Sequence, residues 1–162
     1  MANTINFLKV EEWYREKLSD KYPGYEISKE KVPLLNWGNK GYFECDVVIK
    51  KGNNIIEVQC LSCSSAKTVN GNGGAGKLHK IKDDALMLTG IKCKKKVLAF
   101  TEKSMYNRVL KEKENGRFPN TIELLLVNVD NSEIRRLIKN TSEMSSKEIV
   151  KWEFVYGEIK WH

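Results

Sequence analysis

The stretch Tyr42–Leu61, YFECDVVIKKGNNIIEVQCL, decides the fold. Two runs rich in Val, Ile and aromatic residues, Tyr42–Lys50 and Asn54–Leu61, flank the joint Lys51-Gly52-Asn53-Asn54. Gly and Asn tolerate positive φ, so the joint predicts a tight β-hairpin. With the turn centred between Gly52 and Asn53, Asp46 falls opposite Gln59 and Val48 opposite Glu57. Side chains alternate along each strand. One face then carries Glu44, Asp46, Glu57 and Gln59. The other carries Cys45, Val47 and Ile49 against Ile56, Val58 and Cys60, an apolar surface expected to pack on a helix. Three carboxylates inside an apolar hairpin repel one another and raise each other's pKa unless a cation lies among them. A hard divalent ion meets that need, and Mg²⁺ takes only one or two carboxylates plus water and phosphate oxygens. The plainer alternative is an exposed sheet face whose acids discourage edge pairing.

Outward from the hairpin, helical and strand periods alternate. Residues 5–20 place Phe7, Val10, Tyr14 and Leu18 on one helical face, and Pro23-Gly24 ends that helix. Glu11 falls on the same face, whereas Glu12 and Glu16 fall on the wet side. Tyr25–Leu35 reads as a strand interrupted at Pro33. Ser62–Gly76 is polar and Gly-rich, a loop leading to a helix over Lys77–Leu88 that Thr89-Gly90 stops. A strand at Lys96–Thr101, a helix at Ser104–Glu114 and a strand at Thr121–Val129 follow. Short helices at Ser132–Ile138 and Ser146–Val150 and a strand at Trp152–Tyr156 close the series. The order predicts one α/β domain over residues 1–162, a mixed β-sheet flanked by helices.

The run Glu44-Cys45-Asp46-Val47-Val48-Ile49, the Gly-Asn turn and Ile55-Ile56-Glu57-Val58-Gln59 resemble the D…(E/D)-x-K signature of the PD-(D/E)XK nuclease superfamily. The resemblance covers about residues 5–128 as a restriction-endonuclease-like αβββαβ core, with 129–162 as a C-terminal extension. It implies metal-dependent hydrolysis of DNA phosphodiester bonds with Mg²⁺ or Mn²⁺. Asp46 and Glu57 would hold the metal, and Glu11 would join from the first helix. The family's Lys is replaced by Gln59, which can only exchange hydrogen bonds. E-x-Q variants occur among restriction endonucleases of the superfamily, and there Gln59 would orient water or the scissile phosphate. The missing positive charge would come from Lys67, Lys77 or Lys80. A homodimer is implied, since cutting both strands takes two sites. The alternative is a non-catalytic DNA-binding module on the same fold.

The rest of the sequence bears on partners. Twenty-eight Lys and Arg against 21 Asp and Glu give a net charge of +7, which suits a polyanionic partner or, more plainly, solvated lysine faces. Gly71–Lys77 spells G-x-x-x-x-G-K, but Leu78 stands where a nucleotide-binding loop needs Ser or Thr. A flexible loop feeding a helix N-terminus fits better, with Lys77 and Lys80 contacting phosphate from a helix that flanks the carboxylate face. Lys92, Lys94, Lys95 and Lys96 form a second basic run. Cys60 and Cys63 have a C-x-x-C spacing, for which Cys45 and Cys93 would have to complete a zinc site. Cys45 and Cys60 read instead as small core residues. No apolar run approaches a membrane helix and the start lacks signal-peptide character, so a cytoplasmic location without membrane contact is expected.

Overall fold

The computed structural model describes residues 4–35, 41–67 and 75–141. In chain order the elements are α1 (Thr4–Lys21), β1 (Glu26–Pro33), β2 (Tyr42–Lys51), β3 (Asn54–Ser62), α2 (Ala75–Thr89), β4 (Lys95–Phe100), α3 (Lys103–Glu114), β5 (Ile122–Leu126) and α4 (Ser132–Thr141). The helix expected at 146–150 and the strand at 152–156 lie outside the described residues. The fold is α/β, with one five-stranded mixed sheet in the order β1-β2-β3-β4-β5. The pairs β1/β2 and β2/β3 are antiparallel, and β3/β4 and β4/β5 are parallel. The parallel pairs follow from the two helical crossovers, because parallel neighbours cannot be joined by a tight turn.

Both faces of the sheet are covered. On one side α2 and α3 bury Leu78, Ile81, Ala85, Leu88, Met105 and Val109 against Cys45, Val48, Val58, Cys60 and Leu98. On the other, α1 supplies Val10, Tyr14 and Leu18, the stripe predicted from its spacing, and α4 supplies Ile134 and Ile138. Asn131 begins α4, its Oδ1 accepting the N–H groups of Glu133 and Ile134 at 3.0 and 3.1 Å. Removing α4 would uncover part of α1, so this piece of the C-terminal extension belongs to the packed layer.

The register of the hairpin departs from the simple expectation. The turn is where the residues place it: Lys51 pairs with Asn54, Gly52 has φ +63°, and Lys50 pairs with Ile55. Ile49 then pairs with Glu57, leaving Ile56 as an extra residue on β3. Beyond this bulge Val47, not Asp46, lies opposite Gln59, and Val48 lies opposite Val58 rather than Glu57. A second irregularity lies between β1 and β2. Ser28 pairs with Val48 and Glu30 with Cys45, so Asp46 and Val47 together face the single residue Lys29. Two adjacent residues at such a bulge break the alternation. Val47 and Ile49 consequently pack under α1, not with Cys45 and Val58. The second bulge returns Asp46 to the face that the first would have taken from it.

Candidate carboxylate site

Asp46, Glu57 and Gln59 share the α1 face of the sheet, each through a contact with that helix or its end. Arg15 Nη1 donates to the Asp46 carbonyl oxygen at 3.0 Å, Tyr14 Oη to Gln59 Oε1 at 2.5 Å, and Tyr22 Oη to Glu57 Oε1 at 2.8 Å. They form two separate groups. Glu57 lies opposite Ile49, three residues along β2 from Asp46, a separation of about 10 Å along the strand.

The first group is built on Asp46 and Glu11. Glu11 is 1 % exposed, on the buried face of α1 to which its spacing assigned it. Its Oε1 accepts from Lys29 Nζ at 2.8 Å, and its Oε2 is buried without a hydrogen-bond partner. Asp46 Oδ2 accepts the Leu61 N–H at 2.8 Å. Lys29 Nζ lies 4.0 Å from Asp46 Oδ1 and 3.8 Å from Glu44 Oε1. Burial and the adjacent Glu11 carboxylate push the Asp46 pKa up to about 7, although the Leu61 N–H and Lys29 pull it down. Burial opposes the charge on Lys29, but Glu11, Asp46 and Glu44 outweigh it and hold its pKa above the usual value.

The second group is a closed chain of hydrogen bonds. Gln59 accepts from Tyr14 and donates through Nε2 to Glu57 Oε2. Glu57 Oε1 takes the Tyr22 hydroxyl, with Lys95 Nζ at 3.3 Å. Tyr14, Gln59 and Glu57 are all 2 % exposed or less. Burial, followed by the nearby Glu57 charge, holds the Tyr14 pKa well above normal, so Tyr14 remains a donor. Both Glu57 oxygens are thereby committed within the protein, as are the Gln59 oxygen and its amide nitrogen. A satisfied buried network of this kind holds α1 on the sheet.

No protein-family model, curated protein or solved structure matches this chain. What the site can do follows from its geometry. Among the described residues no three His, Cys, Asp or Glu side chains converge as a ready metal cage. The Asp46–Glu11 pair nonetheless fits an ion that takes two carboxylates and completes its shell with water and phosphate. The fit rests on Glu11 Oε2, a buried oxygen without a donor beside a second carboxylate. Glu57, expected as a ligand beside Asp46, instead has both oxygens engaged by Tyr22, Gln59 and Lys95.

The other expected residues fall elsewhere. Lys77 and Lys80 are on α2, whose buried side packs on the opposite face of the sheet, so that helix does not flank Asp46. Lys67 follows β3 and is exposed, its N–H bonded to Ser65 Oγ. Cys60 and Cys63 enter different cores, on opposite faces, which separates the C-x-x-C pair. Burial pushes the Cys45 thiol up to about 12 and raises those of Cys60 and Cys63 as well.

Sequence reasoning missed three contributors: Lys29, Tyr22 and Lys95. For Lys29 a signal existed, since period two puts it on the same face as Ile27, which packs under α1. It also missed a buried pair beyond the strand ends. Glu102, 1 % exposed, accepts from Thr101 Oγ1 at 2.7 Å and from Arg135 Nη1 at 3.1 Å. Burial lifts its pKa to about 7 against the pull of Arg135 and Thr101. This pair ties α4 to the start of α3.

Proposed function

We propose that this chain is a metal-dependent deoxyribonuclease of the PD-(D/E)XK type, on a restriction-endonuclease-like αβββαβ core, in which Asp46 and Glu11 hold the metal. One observation carries the reading: the buried Glu11 carboxylate and the half-buried Asp46 carboxylate meet where the β2 bulge turns Asp46 toward α1, and an oxygen of Glu11 is left without a donor. A bound Mg²⁺ or Mn²⁺ supplies a water nucleophile at neutral pH and offsets charge on the phosphate. Asp46 is oriented for that role by the Leu61 N–H. Lys29 is the cation beside the pair, in the capacity that Gln59 cannot fill. Gln59 and Glu57 set the seat of α1, and with it the position of Glu11, through Tyr14 and Tyr22. DNA is the substrate class favoured by the net charge of +7, and a homodimer would supply a second site for the second strand.

The commitment of Glu57 and Gln59 to internal bonds favours a second reading, a DNA-binding module on the same fold that does not cut. Incubation with plasmid, branched and single-stranded DNA, with Mg²⁺ or Mn²⁺ and with chelator, separates the two. Metal-dependent cleavage that Asp46→Asn and Glu11→Gln abolish supports the enzyme. Binding without cleavage of any substrate leaves the binding module.

A further inference from the structure

At the hairpin end of the sheet a cleft of about 880 Å³ opens between the first residues of β3 and β4 and the end of α2. Lys92, Lys94 and Lys96 line it, together with Asn53 and Asn54. No acidic residue is among its lining residues. Several lysines on other surfaces are paired with acids, Lys17 with Asp130, Lys29 with Glu11, Lys82 with Glu112 and Lys95 with Glu57, whereas this wall carries its charge with no acid beside it. Lys92 and Lys94 are exposed and have no ion pair among the described residues. Lys96 Nζ donates to the Thr89 carbonyl at 3.1 Å, which places its charge over the carbonyl end of α2. The floor is apolar: Ile55 and Ile91 form it, and Leu35 stands at its edge 50 % exposed.

We infer that this cleft is a binding groove for a nucleic-acid strand, distinct from the carboxylate pair. Ammonium groups along one wall match phosphates, and an apolar floor offers a surface to the faces of unstacked bases. The Asn53 and Asn54 amides carry both donors and acceptors, which suits base edges or phosphate oxygens. An acidic peptide would satisfy the lysines but leave the apolar floor without a counterpart. The groove lies about 13–17 Å along β2 from Asp46, at the level of Lys50 and Lys51, so it meets the strand away from the carboxylates. Its role stands whether or not that pair cuts.

The test uses the full chain in chelator and a fluorescently labelled oligothymidine, with anisotropy read across a salt series. Lys92→Glu with Lys94→Glu weakens binding by at least about tenfold. It also lowers the salt slope by about 1.4, because each phosphate left without its lysine on a single strand removes about 0.7. Both side chains are exposed, so the urea midpoint stays at its wild-type value. Lys77→Ala with Lys80→Ala, on the opposite end of α2, leaves affinity and slope nearly unchanged. Polyglutamate at equal charge fails to displace the oligonucleotide. Unchanged affinity in the Lys92/Lys94 variant overturns the inference. So does a loss confined to the Lys77/Lys80 variant, or displacement by polyglutamate, which would assign the groove to an acidic protein.

Discussion

Asp46→Asn is expected to stabilise the metal-free protein at neutral pH and, on the proposed function, to abolish metal binding. In the folded chain the Asp46 carboxyl titrates at about 7, against an ordinary 3.8, because it is buried beside Glu11. A carboxyl whose folded pKa is raised favours the fold while protonated. Its contribution is complete below the unfolded pKa, near 4, and is lost as pH rises through about 7. At pH 7 the shift corresponds to about 4 kcal/mol of opposition to folding. Asparagine removes the charge and keeps the shape. Its oxygen accepts the Leu61 N–H, and its NH₂ can donate to the neighbouring Glu11 carboxylate. Lys29 loses one favourable neighbour 4.0 Å away, a smaller effect because Glu11 remains at 2.8 Å. The net gain at pH 7 is roughly 2–4 kcal/mol, shrinking below about 1 kcal/mol at pH 4 where wild type is protonated. Urea unfolding of both proteins in chelator, at pH 4, 5.5 and 7, measures it. Added Mg²⁺ then raises the midpoint of wild type only. A variant less stable than wild type at pH 7, or a difference that ignores pH, would refute the account of the carboxylate pair.

Lys29→Met leaves Glu11 and Asp46 facing each other without a cation and costs about 3–5 kcal/mol at pH 7, less at pH 5; equal urea midpoints at the two pH values count against it. Gln59→Ala takes the Nε2 donor from a buried Glu57 oxygen and a hydrogen bond from Tyr14, a loss of about 1–3 kcal/mol; if stability holds and only cleavage falls, Gln59 acts on substrate instead. Arg135→Met leaves Glu102 buried without its cation. Glu102 already titrates at about 7, up from 4.5, so the damage of about 3–5 kcal/mol appears above pH 7 and fades toward pH 5, as thermal unfolding across that range would record.

Much of the architecture was legible because it rests on local patterns. The stripe Val10, Tyr14, Leu18 announced the buried face of α1 and carried Glu11 inward with it. Gly52-Asn53 located the turn to the residue. Alternation failed at Ile56 and at Asp46-Val47, because a bulge leaves no mark in a run of Val and Ile. Asp46, Glu57 and Gln59 still share a face because two opposite shifts cancel, not because the assumed pairing is correct. The layer taken by α2 depends on how the crossover runs, and the Glu102–Arg135 pair joins residues 33 positions apart. Neither is written in any short window.

The paired bulges also make the hairpin tolerant of length in an unusual place. Ile56 is a supernumerary residue, half-buried, between two pairs that would be consecutive without it. Its deletion restores ordinary pleating and keeps Ile55 and Glu57 on their present sides, whereas deletion of Val58 throws Glu57 and everything before it out of phase. The number of residues separating Asp46 from Glu57 is therefore elastic by one. A search pattern written with a fixed gap would pass over chains that place the same two acids in the same positions.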